Sequence, residues 1–128
     1  MRTVTVKKLP ETLGLKQRKD FFREIENCMN VDRPRIVLDC TLIRQPNRAL
    51  VHLLLRCLEE AMKRNGDVKL VSASSKAKAV LENSGVIRLF DTFDTTAEAV
   101  NSFNHVSVYM VPQALMAERS SQESENTT

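Results

Sequence analysis

The stretch "DCTLIRQPNRALVHLLL", Asp39 to Leu55, ends one apolar run and opens another across a Pro-Asn-Arg turn. Its chemistry-bearing groups are the Asp39 carboxylate, the Thr41 hydroxyl, the guanidinium groups of Arg44 and Arg48, the carboxamides of Gln45 and Asn47, and the His52 imidazole. Asn47 suits the position before a helix, where its side chain accepts a backbone N–H. Arg48 then becomes the first helical residue and sets a cation against the positive end of the helix dipole, at a cost of about 0.3–1 kcal/mol. A packed domain tolerates that loss, so Arg48 is either drift or a charged donor held out toward a carboxylate. Asp39 ends its run where a carboxylate binds the N–H groups of the next helix or lines a site, the structural role being favoured. His52 has no nucleophile beside it in sequence and reads as a packed or half-exposed side chain. Thr41, Ser72, Ser74, Ser75 and Ser84 fall at turns or helix starts, where capping is the default use of a hydroxyl. No glycine-rich phosphate loop, Ser/His/Asp order or paired-carboxylate pattern points to catalysis.

The chain that positions these residues has 128 residues, 42% of them apolar, which builds one core and leaves no room for a second domain. Three cysteines (Cys28, Cys40, Cys57) without metal-ligand spacing imply reduced, buried thiols, and neither a metal site nor a cofactor is expected. The net charge of +3 arises from 19 basic and 16 acidic residues spread through the chain, with one Tyr and no Trp, so nucleic acid is not an expected partner. No apolar run reaches the roughly 18 residues of a membrane span, and "MRTVTVKKLP" lacks the apolar segment of a secretory signal, so the expected location is the cytoplasm.

Periodicity divides the chain into alternating elements. "RTVTVKKL" (Arg2 to Leu9) alternates and stops at Pro10, which predicts a short strand near a sheet edge. Leu15, Phe21, Phe22, Ile25, Cys28 and Met29 recur at helical spacing. "RIVLDC" (Arg35 to Cys40) is apolar without alternation, the pattern of a central strand covered on both faces. Leu50, Leu54, Cys57, Leu58, Ala61 and Met62 form a wide helical stripe that closes at "KRNG". A strand follows at Asp67 to Ser74, and then a short helix from Ser75 that stops at Gly85. "VIRLFDTF" carries a further short strand, and a last helix has Thr95 as cap with Glu98 three residues on. The alternation predicts an α/β fold: a mixed, mostly parallel sheet of about four to five strands covered by about four helices. The domain is expected to span residues 1–105. Residues 106–128 read as a C-terminal extension whose "VSVYMV" suits an extra strand or an apolar docking patch, and whose last nine residues are polar enough to be disordered.

From Arg33 to Val100, about half the chain, "RPRIVLDCTLIRQPNRALVHLLLRCLEEAMKRNGDVKLVSASSKAKAVLENSGVIRLFDTFDTTAEAV" resembles the STAS domain of bacterial anti-sigma factor antagonists. Asp39, Gly66, Gly85, Leu89, Phe90, Phe93, Asp94, Glu98 and Ala99 sit where the family pattern has those residue types. The resemblance implies a non-catalytic switch. In typical members an Asp-Ser-Ser/Thr-Gly motif opens the helix after the central strand, and a kinase-like anti-sigma factor phosphorylates the first Ser. The unphosphorylated form binds that kinase and frees the sigma factor. Phosphate adds about −1.5 to −2 charges to a surface meant to dock, and so repels the partner. Here the motif becomes Asn47-Arg48-Ala49-Leu50, with Arg48 at the phosphosite-equivalent position and no hydroxyl to modify. By this resemblance Arg44, Gln45, Asn47, Arg48, Ala49 and Leu50 form the docking surface for an anti-sigma factor or kinase-like protein, and self-association into a homodimer is compatible with it. The alternative is a structural STAS subunit, either in a stressosome-like assembly or in a lipid or anion transporter complex.

Overall fold

The computed structural model describes residues 3–104. Strand β1 (Thr5–Lys8) is followed by α1 (Leu15–Cys28), β2 (Arg35–Asp39), α2 (Arg48–Lys63), β3 (Asp67–Val71) and α3 (Ser75–Ser84). A single 3-10 turn at Val86–Leu89 then leads to β4 (Thr92–Phe93) and α4 (Thr96–Asn104). The sheet order is β1-β2-β3-β4, and every pairing among the described residues is parallel. The four strands among the described residues fit the mostly parallel sheet expected from sequence, because each of them reaches the next through a crossover. The "VSVYMV" segment and the polar tail lie outside the described residues.

Right-handed crossovers that step in one direction along a sheet place their helices on one face. Helices α1, α2 and α3 accordingly share a face, where Phe21, Phe22, Ile25, Leu50, Leu54 and Leu81 pack with Ile36, Leu38, Val68 and Leu70 of the strands. Helix α4 takes the other face, setting Ala99 and Phe103 on Val37 and Val71. Adjacent strand residues point to opposite faces, so β2 and β3 carry apolar residues on both, Ile36, Leu38, Val68 and Leu70 on one and Val37 and Val71 on the other. Each fully buried Leu or Ile contributes about 1.5–3 kcal/mol relative to exposure. Strand β1 lies at the edge and alternates, with Lys7 pairing with Glu24 of α1 at 3.3 Å and Val6 left exposed.

Local chemistry ends these helices where the sequence marks ends. Ser74 accepts the Ala77 N–H at 3.1 Å to open α3, and Gly85 closes it in the left-handed region at φ 82°. Thr95 and Glu98 each accept the other's backbone N–H at 3.2 Å. At the end of α2, Asn65 takes the left-handed residue at φ 61°, while Gly66 serves a different need. A Cβ on Gly66 would lie 2.1 Å from the Pro34 carbonyl oxygen, whose acceptor role for the Asp67 N–H registers β3 beside β2.

Three readings from sequence change. Leu15 and Met62 belong to the apolar stripes by spacing but are exposed, Leu15 as the first residue of α1 and Met62 beside the fully buried Ala61 near the end of α2. "VIRLFDTF" is mostly a 3-10 turn, with a strand of only two residues, because the left-handed Gly85 turns the chain and Val86 and Phe90 then fold inward. Cys40 and Cys57 are buried free thiols, whereas Cys28 is half-buried at the end of α1.

Candidate functional site

The Asp39–Leu55 stretch begins at the carboxyl end of β2 and runs through the loop into α2. Asp39 is nearly buried, and its Oδ1 accepts the Thr41 N–H at 2.9 Å together with the Thr41 hydroxyl. It therefore stiffens the turn after the strand and does not bind the N–H groups of α2. The loop is fastened by the Ile43 N–H to the Cys40 carbonyl at 3.3 Å and by the Arg44 N–H to the Glu11 carbonyl at 3.2 Å. The Arg44 guanidinium lies 3.9 Å from the Glu11 carboxylate, an exposed pair contributing about 0–1 kcal/mol.

Asn47 is extended, at φ −150° and ψ −167°, and its Oδ1 accepts the Ala49 N–H at 2.9 Å. Arg48 opens α2, is exposed, and makes no ion pair among the described residues. No acidic side chain occupies the first turn of α2, so the dipole and the guanidinium add to one positive focus on the surface. Gln45 is exposed and Ala49 half-buried. Leu50 departs from the expectation: it is fully buried in the core under the loop, so it anchors the helix start and presents nothing to a partner. Of the residues expected to dock a partner, Arg44, Gln45, Asn47 and Arg48 are exposed and Ala49 is half-buried.

Between α2 and α3 runs a groove of about 520 Å³ whose lining includes Arg48, Val51, His52, Val80, Asn83 and Ser84. His52 is exposed at its rim. Ser84, the hydroxyl in the groove, donates to the Val80 and Leu81 carbonyls at 3.1 Å and is not engaged with the imidazole. The groove thus offers a cation, a carboxamide and a short apolar floor, suited to a partner's side chains more than to bond cleavage. Val80 and Asn83 are the contributions that sequence reasoning misses, because their signal, one exposed face of α3, acquires meaning only when α3 lies beside α2. Of the other hydroxyls, Ser74 caps α3, Ser72 donates to the Asp94 carbonyl at 3.3 Å, and Ser75 is exposed. Among the described residues no group of three or more His, Cys, Asp or Glu side chains could hold a metal ion, and no helix is long and apolar enough to cross a membrane.

Together these features define a small parallel α/β domain with an open helix-start surface at the carboxyl ends of its strands. The STAS domain pattern matches residues 4–99, and the chain belongs to that family. No curated protein matches the chain. Among solved structures, the anti-sigma-factor antagonist (STAS) domain protein of Planctomyces limnophilus is similar with a TM-score of 0.68 at 18% identity, over 79% of this chain and 91% of that one. A sulfate transporter family protein of Wolinella succinogenes gives 0.67 at 14% identity, over 83% and 88%. The STAS domain of a SulP transporter from Vibrio cholerae gives 0.66 at 13% identity, over 85% and 88%. These likenesses establish the shared fold. STAS domains are in general non-catalytic regulatory domains.

Proposed function

We propose that this chain is a non-catalytic, protein-binding regulator of the anti-sigma factor antagonist kind, working in the bacterial cytoplasm and lacking the phosphorylatable serine. Its partner is an anti-sigma factor or kinase-like protein. The contact surface is Arg44, Gln45, Asn47, Arg48 and Ala49, extended along the α2–α3 groove. One observation carries the reading: an exposed Arg48, without an ion pair among the described residues, follows the Asn47 cap at the start of α2, where the family resemblance puts the modified serine. A fixed cation there holds the domain in one binding state that a kinase cannot reverse. Residues 1–105 form the domain in this reading and residues 106–128 an extension to it.

The test pairs the purified chain with the kinase-like anti-sigma factors encoded in its genome, measuring binding by calorimetry and modification by mass spectrometry after incubation with ATP. Tight binding without phosphate on residues 44–50 is the expected result. Stoichiometric phosphate on Thr41 or Ser72 would show that the switch has moved and has not been lost. The second reading, a structural subunit of a transporter complex, is favoured by the similarity to the sulfate transporter structures. Copurification with a membrane transporter and no binding to any anti-sigma factor would decide for it.

A further inference from the structure

At the opposite end of the sheet, where β2 and β3 begin, a cavity of about 380 Å³ is lined by Arg33, Arg35, Asn65, Asp67, Lys69 and Phe103, among others. Lys69 stands opposite Val37 in the sheet and points to the α4 side, and its side chain is only 7% exposed. Its ammonium lies 4.2 Å from the centre of the Phe103 ring and 5.7 Å from that of Phe93. It donates to the Ser102 hydroxyl at 2.6 Å, while that hydroxyl donates onward to the Ala99 carbonyl at 2.7 Å. The Asp91 carboxylate, at 3.9 Å, pairs with the ammonium in charge but lies beyond hydrogen-bond reach. An ammonium has three N–H donors, so two of them lack a protein acceptor among the described residues.

Burying a charge without filling its hydrogen bonds is costly, and the rim adds to the imbalance. Arg35 donates to the Phe103 carbonyl at 3.2 Å and sits 5.6 Å from the centre of the same ring that Lys69 covers. Arg33 extends the basic rim from a left-handed residue at φ 55°. The opposing carboxylate in the lining, Asp67, accepts the Val68 N–H at 2.8 Å and is occupied by its own strand. Burial lowers the Lys69 pKa, with Arg35 pushing weakly the same way, while the Asp91 and Asp67 carboxylates oppose the shift. Water can fill donors but cannot balance the one positive charge that remains when Asp67 and Asp91 are set against Arg33, Arg35 and Lys69. A phosphate does both, taking a forked pair of N–H groups from a guanidinium and the two unfilled N–H groups of the ammonium. The cavity volume falls within the range of small-molecule sites and exceeds what a bare oxyanion fills.

We infer that this cavity binds the phosphate group of a small phosphate monoester, a site separate from the protein-docking surface at the other end of the strands. The full chain is titrated calorimetrically with glycerol 3-phosphate, with inorganic phosphate, and with sodium chloride at matched ionic strength. One saturable site for the monoester is expected, with chloride giving none. Equal affinity for inorganic phosphate would keep the oxyanion site and name the free ion as its source. Lys69→Met should weaken binding at least tenfold while melting no lower than the parent, and Arg35→Gln should weaken it similarly from a different element. The inference is overturned if chloride reproduces the phosphate signal, or if both variants bind as the parent does.

Discussion

Arg48 is the residue on which the functional reading turns. Arg48→Asp sets a carboxylate where, in the proposed reading, typical family members carry phosphoserine. It should weaken binding of an anti-sigma partner by about 1–3 kcal/mol, by loss of a charged donor and gain of repulsion. Because an acid in the first turn suits the helix dipole, the variant should melt at the same temperature or slightly higher, which calorimetry of the isolated protein checks. Unchanged binding in low salt, where charge effects are largest, would make Arg48 drift and put the docking surface elsewhere. Arg48→Ser is the companion, restoring a hydroxyl without the preceding Asp, and mass spectrometry after kinase treatment shows whether that suffices for modification. The buried thiols make a different prediction. Desolvation pushes Cys40 and Cys57 from 9.0 up to about 12, the neighbouring Asp39 charge adding to the rise at Cys40. Both should therefore resist thiol reagents in the native protein and react only on unfolding.

Among the elements, the ends of helices carry the sharpest expectations. Gly66→Ala drives a methyl group against the Pro34 carbonyl, a backbone atom that cannot swing away. A loss of about 1–3 kcal/mol is expected from such overpacking, read as a shift of the urea midpoint at unchanged slope. Thr95→Ala breaks one arm of the Thr95–Glu98 pair at the start of α4 and should cost about 0.5–2 kcal/mol. Because α4 covers its face of the sheet alone among the described helices, hydrogen exchange in that variant should rise first in Ala99 to Phe103. Exchange rising equally in α1 and α2 would show that the two faces do not open separately.

For the molecule as a whole, pH links these local environments to stability. A thiol whose folded pKa is raised contributes stability that is fully present below its unfolded value and lost as pH climbs toward the folded one. Cys40 and Cys57 thus predict a loss of stability between about pH 9 and pH 12. Lys69 acts in the opposite sense, because its lowered pKa makes the folded state less costly as pH approaches 10.5. The urea midpoint of the parent should fall from pH 8 to about pH 10.5 by more than that of a Cys40→Ala/Cys57→Ala double variant, and equal falls would assign the loss to other groups. The proposed division of the chain is tested by brief proteolysis with an unspecific protease. A persistent fragment ending near residue 105 is expected, and cleavage inside α4 would move the boundary inward.

Much of this protein follows from local patterns in its chain. The period of the apolar residues places α1, α2, β2 and β3 within a residue or a few of their observed ends, and Asn47, Ser74, Gly85 and the Thr95–Glu98 pair mark helix ends by chemistry acting within a turn. The alternation of strand and helix implies parallel crossovers. A family resemblance spread over spaced positions such as Asp39, Gly66 and Phe93 agrees with the pattern matched over residues 4–99. Contacts between residues distant in sequence were not legible in this way. Leu50 has the spacing of both a loop residue and a core residue, and only the packing of α2 on the sheet buries it. The α2–α3 groove exists because two crossovers of the same hand place those helices side by side. Lys69 reads as one polar break in an apolar strand until α4 folds over it and brings Ser102 and Phe103 to its ammonium. Periodicity records which side of an element is apolar, whereas a site assembled from several elements depends on which sides the chain's crossovers bring together.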